Sequence, residues 1–339
     1  MSTDLHAPLE SGEISSPRSG VFNAKRAGAQ ALRVGEGLLL LAFVRVVVAP
    51  AFGSAALPAA VRAWLVVFLA VVIQALPFLV LGAVVSVAIS KLATPRVVER
   101  LVPRSGVRAV PAAALASMLL PGCECASVPV SSSMMRHGVP RAAALTFLLA
   151  APAVNPVVLV ATAVAFPGHP QMVLARFAAA MLSAVTMGWL WLRTGTRWLP
   201  QPTILTSSHS HDAGLLATLR HDFLPACGYL IIGAALAATV NVALPHSIFS
   251  RLSGFVVVLA LALLAVLIAV CSEADAFVAA SLTPHPLAQL AFMVVGPMVD
   301  LKLITTQVGS FGSRFAAFFA PTTFVVGLGA ALLVGSVLL

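Results

Sequence analysis

Apolar runs of membrane-spanning length are the feature that most limits what this chain can fold into. Several stretches of the 339-residue sequence reach the ~20 residues that an α-helix needs to cross a ~30 Å hydrocarbon core. Charged residues make up only 9% of the chain, whereas a soluble domain carries roughly 25% because its surface faces water. The sequence therefore predicts an all-α, polytopic membrane protein with about 7–9 transmembrane segments.

Positive charge is concentrated between the apolar runs. The formal net charge is +9, and one basic segment directly follows the apolar run at 63–90; it contains Lys91, Arg96, Arg100, Arg104 and Arg108. Because Lys and Arg accumulate in cytoplasmic loops, we expect this segment and the basic N-terminal tail to be cytoplasmic. The distribution indicates membrane orientation, and no nucleic-acid partner is expected.

Apolar runs and polar loops divide the chain into five expected regions. They are a disordered cytoplasmic tail (1–33), an extra N-terminal transmembrane helix (34–62), a first membrane repeat (63–199), a polar cytoplasmic loop (200–221) and a second membrane repeat (222–339).

The stretch 109–135 is interrupted by Pro121-Gly122 and has basic residues on both sides. Broken backbone is tolerated at membrane depth where it lines a cavity or is buried in protein. The basic flanks favour a re-entrant hairpin that enters and leaves at one face; one continuous kinked span is the alternative. A second candidate hairpin lies at 253–283.

The two halves resemble each other at several positions. CECASVPVSSS in the first half corresponds to CSEADAFVAAS in the second, which aligns Cys123 with Cys271; PAVN, ending at Asn155, likewise corresponds to PMVD, ending at Asp300. Each half would cross the membrane an odd number of times, so the halves would be inverted. Inverted repeats with broken helices are typical of secondary transporters, whose substrate site lies at the repeat interface.

Four acidic residues lie beside or within apolar runs: Glu124, Glu273, Asp275 and Asp300. An Asp at the centre of a spanning helix costs about 2.5–3.5 kcal/mol, so such residues are usually functional. The alternative is that some of them lie near a membrane interface.

Thiols accompany these carboxylates. Cys123, Glu124 and Cys125 directly follow the Pro-Gly break, and Cys271 and Glu273 form a similar pair in the second half. Thiolate ligands suit zinc, copper(I) and, by the same softness, trivalent arsenic. A nearby carboxylate can accept the proton released when a thiol binds metal. Cys123, Glu124, Cys125 and Cys271 are therefore candidate metal ligands; helix packing is the alternative for the cysteines.

Asn155 and Asp300 follow Pro residues in corresponding segments, where broken helices expose carbonyl groups to a solute. A kink capped by the Asn side chain is the alternative. Lys302 lies two positions after Asp300, so the two side chains diverge on a regular helix. They can pair only if the helix is broken there.

The segment 121–166 resembles the YraQ/ArsP-type permease family (UPF0718-like bacterial membrane permeases), and the resemblance extends over about 63–339. The matching positions are Pro121, Cys123 to Cys125, Val128-Pro129, Gly138-Val139-Pro140 and Ala151 to Pro156. The resemblance implies a multi-pass permease of the bacterial cytoplasmic (inner) membrane, and some members export trivalent organoarsenicals. The triplet CEC differs from those of other members.

These observations predict a permease that moves a small thiol-reactive solute, a soft metal ion or trivalent arsenical, by alternating access. The expected substrate-binding residues are Cys123, Glu124, Cys125, Asn155, Cys271, Glu273 and Asp300. A membrane thiol–disulfide electron carrier is the alternative. The chain has no P-loop or HExxH motif, so no enzyme activity is expected. No cofactor is expected either, because a bound metal or metalloid would be the substrate. The expected partners are the lipid bilayer and the solute.

Overall fold

The computed structural model of the protein describes residues 59–92, 106–119, 124–194, 215–243 and 254–339. Within these ranges the chain is helical and contains no strand. The expected tail and nearly all of the expected extra N-terminal helix lie outside them, as does Cys123.

The helices follow one another in the same order of long and short elements in each half. In the first half they are α1 (Ala59–Leu92), α2 (Gly106–Ala116, continued by a 3₁₀ turn at Ser117–Leu119), α3 (Glu124–Arg136), α4 (Arg141–Val154), α5 (Pro156–Ala165) and α6 (Pro170–Thr194). In the second half they are α7 (Leu215–Ala243), α8 (Phe255–Ile268), α9 (Asp275–Leu282), α10 (Pro286–Met298), α11 (Leu301–Phe311) and α12 (Ser313–Leu338).

Five helical stretches among the described residues are long and apolar enough to cross a membrane. They are Ala60–Ser86, Arg141–Ala165, Pro170–Thr194, Pro286–Phe311 and Ser313–Leu338. Shorter apolar helices accompany them, so the prediction of an all-α polytopic membrane protein is confirmed. Helix α7 begins at Leu215, inside the range 200–221 expected to be a loop.

The first broken segment enters and leaves at one end of the bundle. Val110, one turn into α2, and Thr146, near the start of α4, both lie against Gly188 of α6. Helix α3 ends at Arg136, only a short turn before α4 begins. The start of α2 and the end of α3 therefore lie toward the same end of α4, as expected of a re-entrant hairpin.

The second broken segment returns to the opposite end. One cavity is lined by residues of the α5–α6 turn and of the α9–α10 turn, including His169 and Pro284. Helix α9 thus ends beside the start of α6, whereas α3 ends near the end of α6. Inverted halves require the two broken segments to end at opposite ends of the bundle in this way. The repeat itself stays a prediction.

Small residues bring the helices of the interior together. Gly82 of α1 lies directly against the backbone of Ala126 in α3, and Gly233 of α7 lies against the backbone of Lys302 in α11. Close backbone approach of this kind is typical of membrane helices, which associate without a hydrophobic driving force between them. Large apolar side chains such as Val66 and Val80 of α1 instead point outward and are exposed.

Candidate functional site

In each half, one helix is interrupted and continues as a second helix, at the position where the sequence predicts a break. Helix α4 ends at Val154, and the side-chain oxygen of the next residue, Asn155, accepts a hydrogen bond from the backbone N–H of Val158 (3.0 Å). Helix α10 ends before Asp300, whose carboxylate accepts from the backbone N–H of Leu303 (2.6 Å). Both residues therefore cap the following helix by satisfying an N–H at its start. Direct contact of either residue with a solute stays a prediction.

The break at Asp300 allows Lys302 to join the carboxylates. The Lys302 ammonium donates to Glu124 Oε1 at 2.8 Å and lies 3.7 Å from Asp300 Oδ2. Asp300 and Lys302, which would diverge on a regular helix, approach because the backbone of Asp300 is extended. Glu124 is the first residue of α3, so this contact joins the two halves. All three residues are at most 2% exposed.

Thiols from both halves adjoin this charged group. The Cys271 thiol donates to Glu124 Oε1 at 3.9 Å. Cys125 and Cys271 pack in one small buried cluster with Ala75, Leu79 and Leu230, and Cys227 packs against it. The structure therefore brings Glu124, Cys125 and Cys271 together, although they come from opposite halves of the chain.

Two carboxylate oxygens of the site have no hydrogen-bond partner in the part of the chain that is described. They are Glu124 Oε2 and Asp300 Oδ2, both buried. Buried acceptors are normally satisfied, so these oxygens mark a position at which a donor or cation would be stabilised. Within the described ranges, no group of three or more His, Cys, Asp or Glu side chains could hold a metal ion. Since Cys123 lies outside those ranges, the metal-ligand set stays a prediction.

Glu273 lies in the turn between α8 and α9. Its Oε2 atom is buried and has no hydrogen-bond partner among the described residues, while the residue as a whole is half-buried. Among those residues, no hydrogen bond or ion pair joins it to Glu124, Lys302 or Asp300. Its expected contact with the solute stays a prediction.

Arg176 is a buried charge that the sequence interpretation missed. Its guanidinium donates to both carboxylate oxygens of Asp275, at 2.8 and 2.7 Å. It also donates to Thr162 Oγ1 at 2.8 Å and to the carbonyl of Ser272 at 3.3 Å. The signal was available, because Arg176 is the single charged residue of the apolar run 171–192 and meets the rule that intramembrane charges are functional or paired.

Comparison with known proteins identifies the family of this chain. Residues 61–336 match the family model ArsP_1, described as "Predicted permease". The chain belongs to this permease family. No solved structure matches it.

Two curated relatives cover most of the permease. One, from Streptococcus mutans serotype c (strain ATCC 700610 / UA159), is named as a subunit of a two-component membrane permease complex; it is 31% identical over 297 residues, which are 82% of this chain and 97% of the relative. The other is the UPF0718 protein YcgR of Bacillus subtilis (strain 168), 32% identical over 280 residues, or 79% of this chain and 95% of the relative. The chain is thus a multi-pass membrane permease.

Proposed function

We propose that this permease moves a small thiol-reactive solute, either a soft metal ion or a trivalent arsenical, across the bacterial cytoplasmic membrane by alternating access. The observation that supports this most is the contact of Glu124 in the first half with Cys271 and Lys302 in the second. The three side chains are buried beside interrupted helices, the arrangement in which secondary transporters bind their substrates.

The donor set suits a soft, electron-poor centre. Cys125 and Cys271 supply sulfur, which prefers such centres to hard cations. A thiol must lose its proton when it binds a metal or metalloid. The Cys271 thiol already donates to Glu124 Oε1, so this carboxylate is placed to receive that proton.

The charges of the site also fit a cationic solute. Glu124 and Asp300 share one neighbouring ammonium, that of Lys302. With all three groups ionised, one negative charge is left uncompensated in a buried setting, where an isolated charge is strongly unfavourable. A bound cation, or a proton, removes that cost.

Alternating access follows from the way the site is shared. Because each half contributes essential groups, movement of one half against the other separates Glu124 from Cys271 and Lys302. The solute then loses its ligands on one side as the site opens. We also propose that the N-terminus is cytoplasmic, because the basic residues of the N-terminal tail favour that side of the membrane.

Flux measurements test the proposal. Purified permease in proteoliposomes is supplied with zinc, cadmium, arsenite or methylated arsenite, and accumulation of each is followed for the wild type, Cys271→Ser and Glu124→Gln. We expect at least one solute to move, and both variants to lose most of that flux. Cys227→Ser is the matched control, because it makes the same substitution at a cysteine that lies at the partly exposed edge of the cluster. If none of the four solutes moves, the proposed substrate class is wrong.

A thiol–disulfide electron carrier is the second candidate function, and one observation favours it. Cys125 and Cys271 come from different halves yet pack in the same buried cluster, as an exchanging pair would. A carrier cycles through a disulfide that includes Cys271: an added dithiol reduces this disulfide and is itself oxidised, and the resulting thiols pass the two electrons to an added quinone. A permease instead moves its solute while all cysteines stay reduced, which differential alkylation and mass spectrometry distinguish.

A further inference from the structure

We call Glu124, Cys125, Cys271, Asp300 and Lys302 together the thiol–carboxylate site. The buried pair of Arg176 and Asp275 lies outside this site and has no part in the proposed chemistry. It nevertheless joins the two halves, since Arg176 belongs to α6 and Asp275 is the first residue of α9. Its bidentate geometry is the strongest form of a carboxylate–guanidinium contact. The pair therefore connects two elements that must separate if the halves move against each other.

A cavity of about 490 Å³ lies on one side of this pair. Among its lining residues are Met172, four positions before Arg176 on α6, and Ala280, five positions after Asp275 on α9. At 1.5 Å per residue, these positions are roughly 6–8 Å from the ion pair along each helix. The cavity is also lined by both connecting turns, at His169 and Pro284, which places it at one end of the bundle.

The thiol–carboxylate site lies on the other side of the pair. The backbone N–H of Asp275 donates to the carbonyl of Cys271 at 3.1 Å, and the Ser272 carbonyl accepts from Arg176. Cys271 in turn reaches Glu124. The order through the molecule is therefore the end cavity, the Arg176–Asp275 pair, and then the site.

The polar surroundings of the pair are incomplete in this conformation. Arg176 Nε and Ser272 Oγ are buried without a hydrogen-bond partner in the described part of the chain. A permanent structural ion pair is expected to satisfy its polar atoms. Unsatisfied atoms lower the stability of the closed arrangement and favour one in which water enters.

From this placement we propose that Arg176 and Asp275 form a gate that closes the path between the end cavity and the site, and that opens when α6 and α9 separate. The gate rests on the proposed function only in requiring alternating access. The ion pair holds the closed state, and hydration of both charges offsets its loss in the open state.

A cross-linking experiment tests the gate without any transported solute. Gln171→Cys and Ala280→Cys are introduced together, because both residues are exposed, line the cavity and belong to opposite halves. A membrane-impermeant bifunctional maleimide joins them in proteoliposomes and thereby selects the molecules whose cavity faces outward. The rate at which an impermeant methanethiosulfonate then modifies Cys271 is measured by peptide mass spectrometry.

We expect this cross-link to slow modification of Cys271 at least about tenfold, because it prevents the halves from separating. The control cross-link joins Phe166→Cys to Gln171→Cys, which line the same cavity but belong to one half; it should leave the rate unchanged. Equal rates under the two cross-links would overturn the gate. So would failure of Cys271 to react from this face in the protein without a cross-link.

Removal of the charges gives an independent readout. The double variant Arg176→Gln, Asp275→Asn should make Cys271 react about tenfold faster from the cavity face, and the charge-reversed variant Arg176→Asp, Asp275→Arg should restore slow reaction. An unchanged rate in the double variant overturns the gate. Because no flux is measured, absence of zinc or arsenical transport would refute the proposed function and leave this result intact.

Discussion

Two buried ion pairs join the halves of this permease, and they differ in how completely their partners are satisfied. Arg176 makes four hydrogen bonds, two of them to Asp275. Lys302 makes one hydrogen bond to Glu124 and lies farther from Asp300. Both pairs are almost fully buried, so burial alone does not distinguish them.

The two pairs differ in which buried atoms are left without a hydrogen-bond partner among the described residues. At the Arg176 pair the carboxylate is saturated and the unpartnered atoms are Arg176 Nε and Ser272 Oγ, whereas the Lys302 group retains two unpartnered carboxylate oxygens beside two thiols. Free acceptors beside thiols suit a site that binds a cationic or electron-poor solute, whereas a saturated carboxylate suits a contact that holds two elements together in the closed state. Substitutions at the two pairs test this contrast.

The largest effect on stability is expected at the saturated pair. Arg176→Met leaves Asp275 buried without its cation, and removal of one partner of a buried pair costs about 3–5 kcal/mol. Thermal unfolding of the purified protein measures the loss. Arg176→Met combined with Asp275→Leu should recover most of it, because no uncompensated charge remains; a double variant as unstable as the single one would contradict this account.

A smaller effect on stability but a complete loss of transport is expected at Lys302. Lys302→Met leaves Glu124 and Asp300 buried without their shared cation, but it removes one hydrogen bond where Arg176→Met removes four. Its cost should therefore lie toward the lower end of the about 3–5 kcal/mol expected when one partner of a buried pair is removed. Unfolding and flux are measured on the same preparation. If Lys302→Met destabilised the protein more than Arg176→Met, the contrast between the two pairs would be wrong.

The close packing of α7 against the backbone of Lys302 should have the next largest effect on stability. A methyl group at Gly233 would meet Thr305 Oγ1 and the Cα atom of Lys302, so Gly233→Ala should destabilise the protein by about 1–3 kcal/mol through overpacking. It should also reduce flux, because it displaces the Lys302 backbone. Gly228→Ala, on the same helix with open space around its methyl group, is the matched control. Equal behaviour of the two variants in unfolding would show that α7 and α11 do not pack as described.

The smallest effects are expected at the two capping residues. Asn155→Ala and Asp300→Ala should each cost about 1 kcal/mol, because each removes an acceptor at a helix N-terminus. Asp300→Asn keeps an acceptor at that position and should keep the stability, yet it removes a charge beside Lys302 and should lower flux. Asn155→Ser, which keeps a neutral capping acceptor at the start of the next helix, is the control for stability in the other half. If Asp300→Asn left flux unchanged, the Asp300 charge would have no part in transport.

Sequence reasoning identified the pieces of the site more readily than their arrangement. The scarcity of charge made Glu124 and Asp300 conspicuous, and Pro152 and Pro297 marked the helices that break. The rule that a charge inside an apolar run is functional or paired also identifies Arg176. The apolar run that forms α6 was nevertheless interpreted as an ordinary span. Lys302 was considered only as a possible partner of Asp300, and its hydrogen bond to Glu124 was not anticipated.

By itself, the sequence determined that this protein is helical and membrane-spanning, because apolar length and missing charge leave no other way to satisfy the backbone. It also located the helix breaks, since Pro and Gly disrupt helical hydrogen bonding only in the adjacent turns. Only the tertiary structure decided that Glu124 meets Lys302 and Arg176 meets Asp275, across separations of 178 and 99 positions. Those pairings depend on how the halves pack, and no local rule of sequence encodes which buried charge faces which.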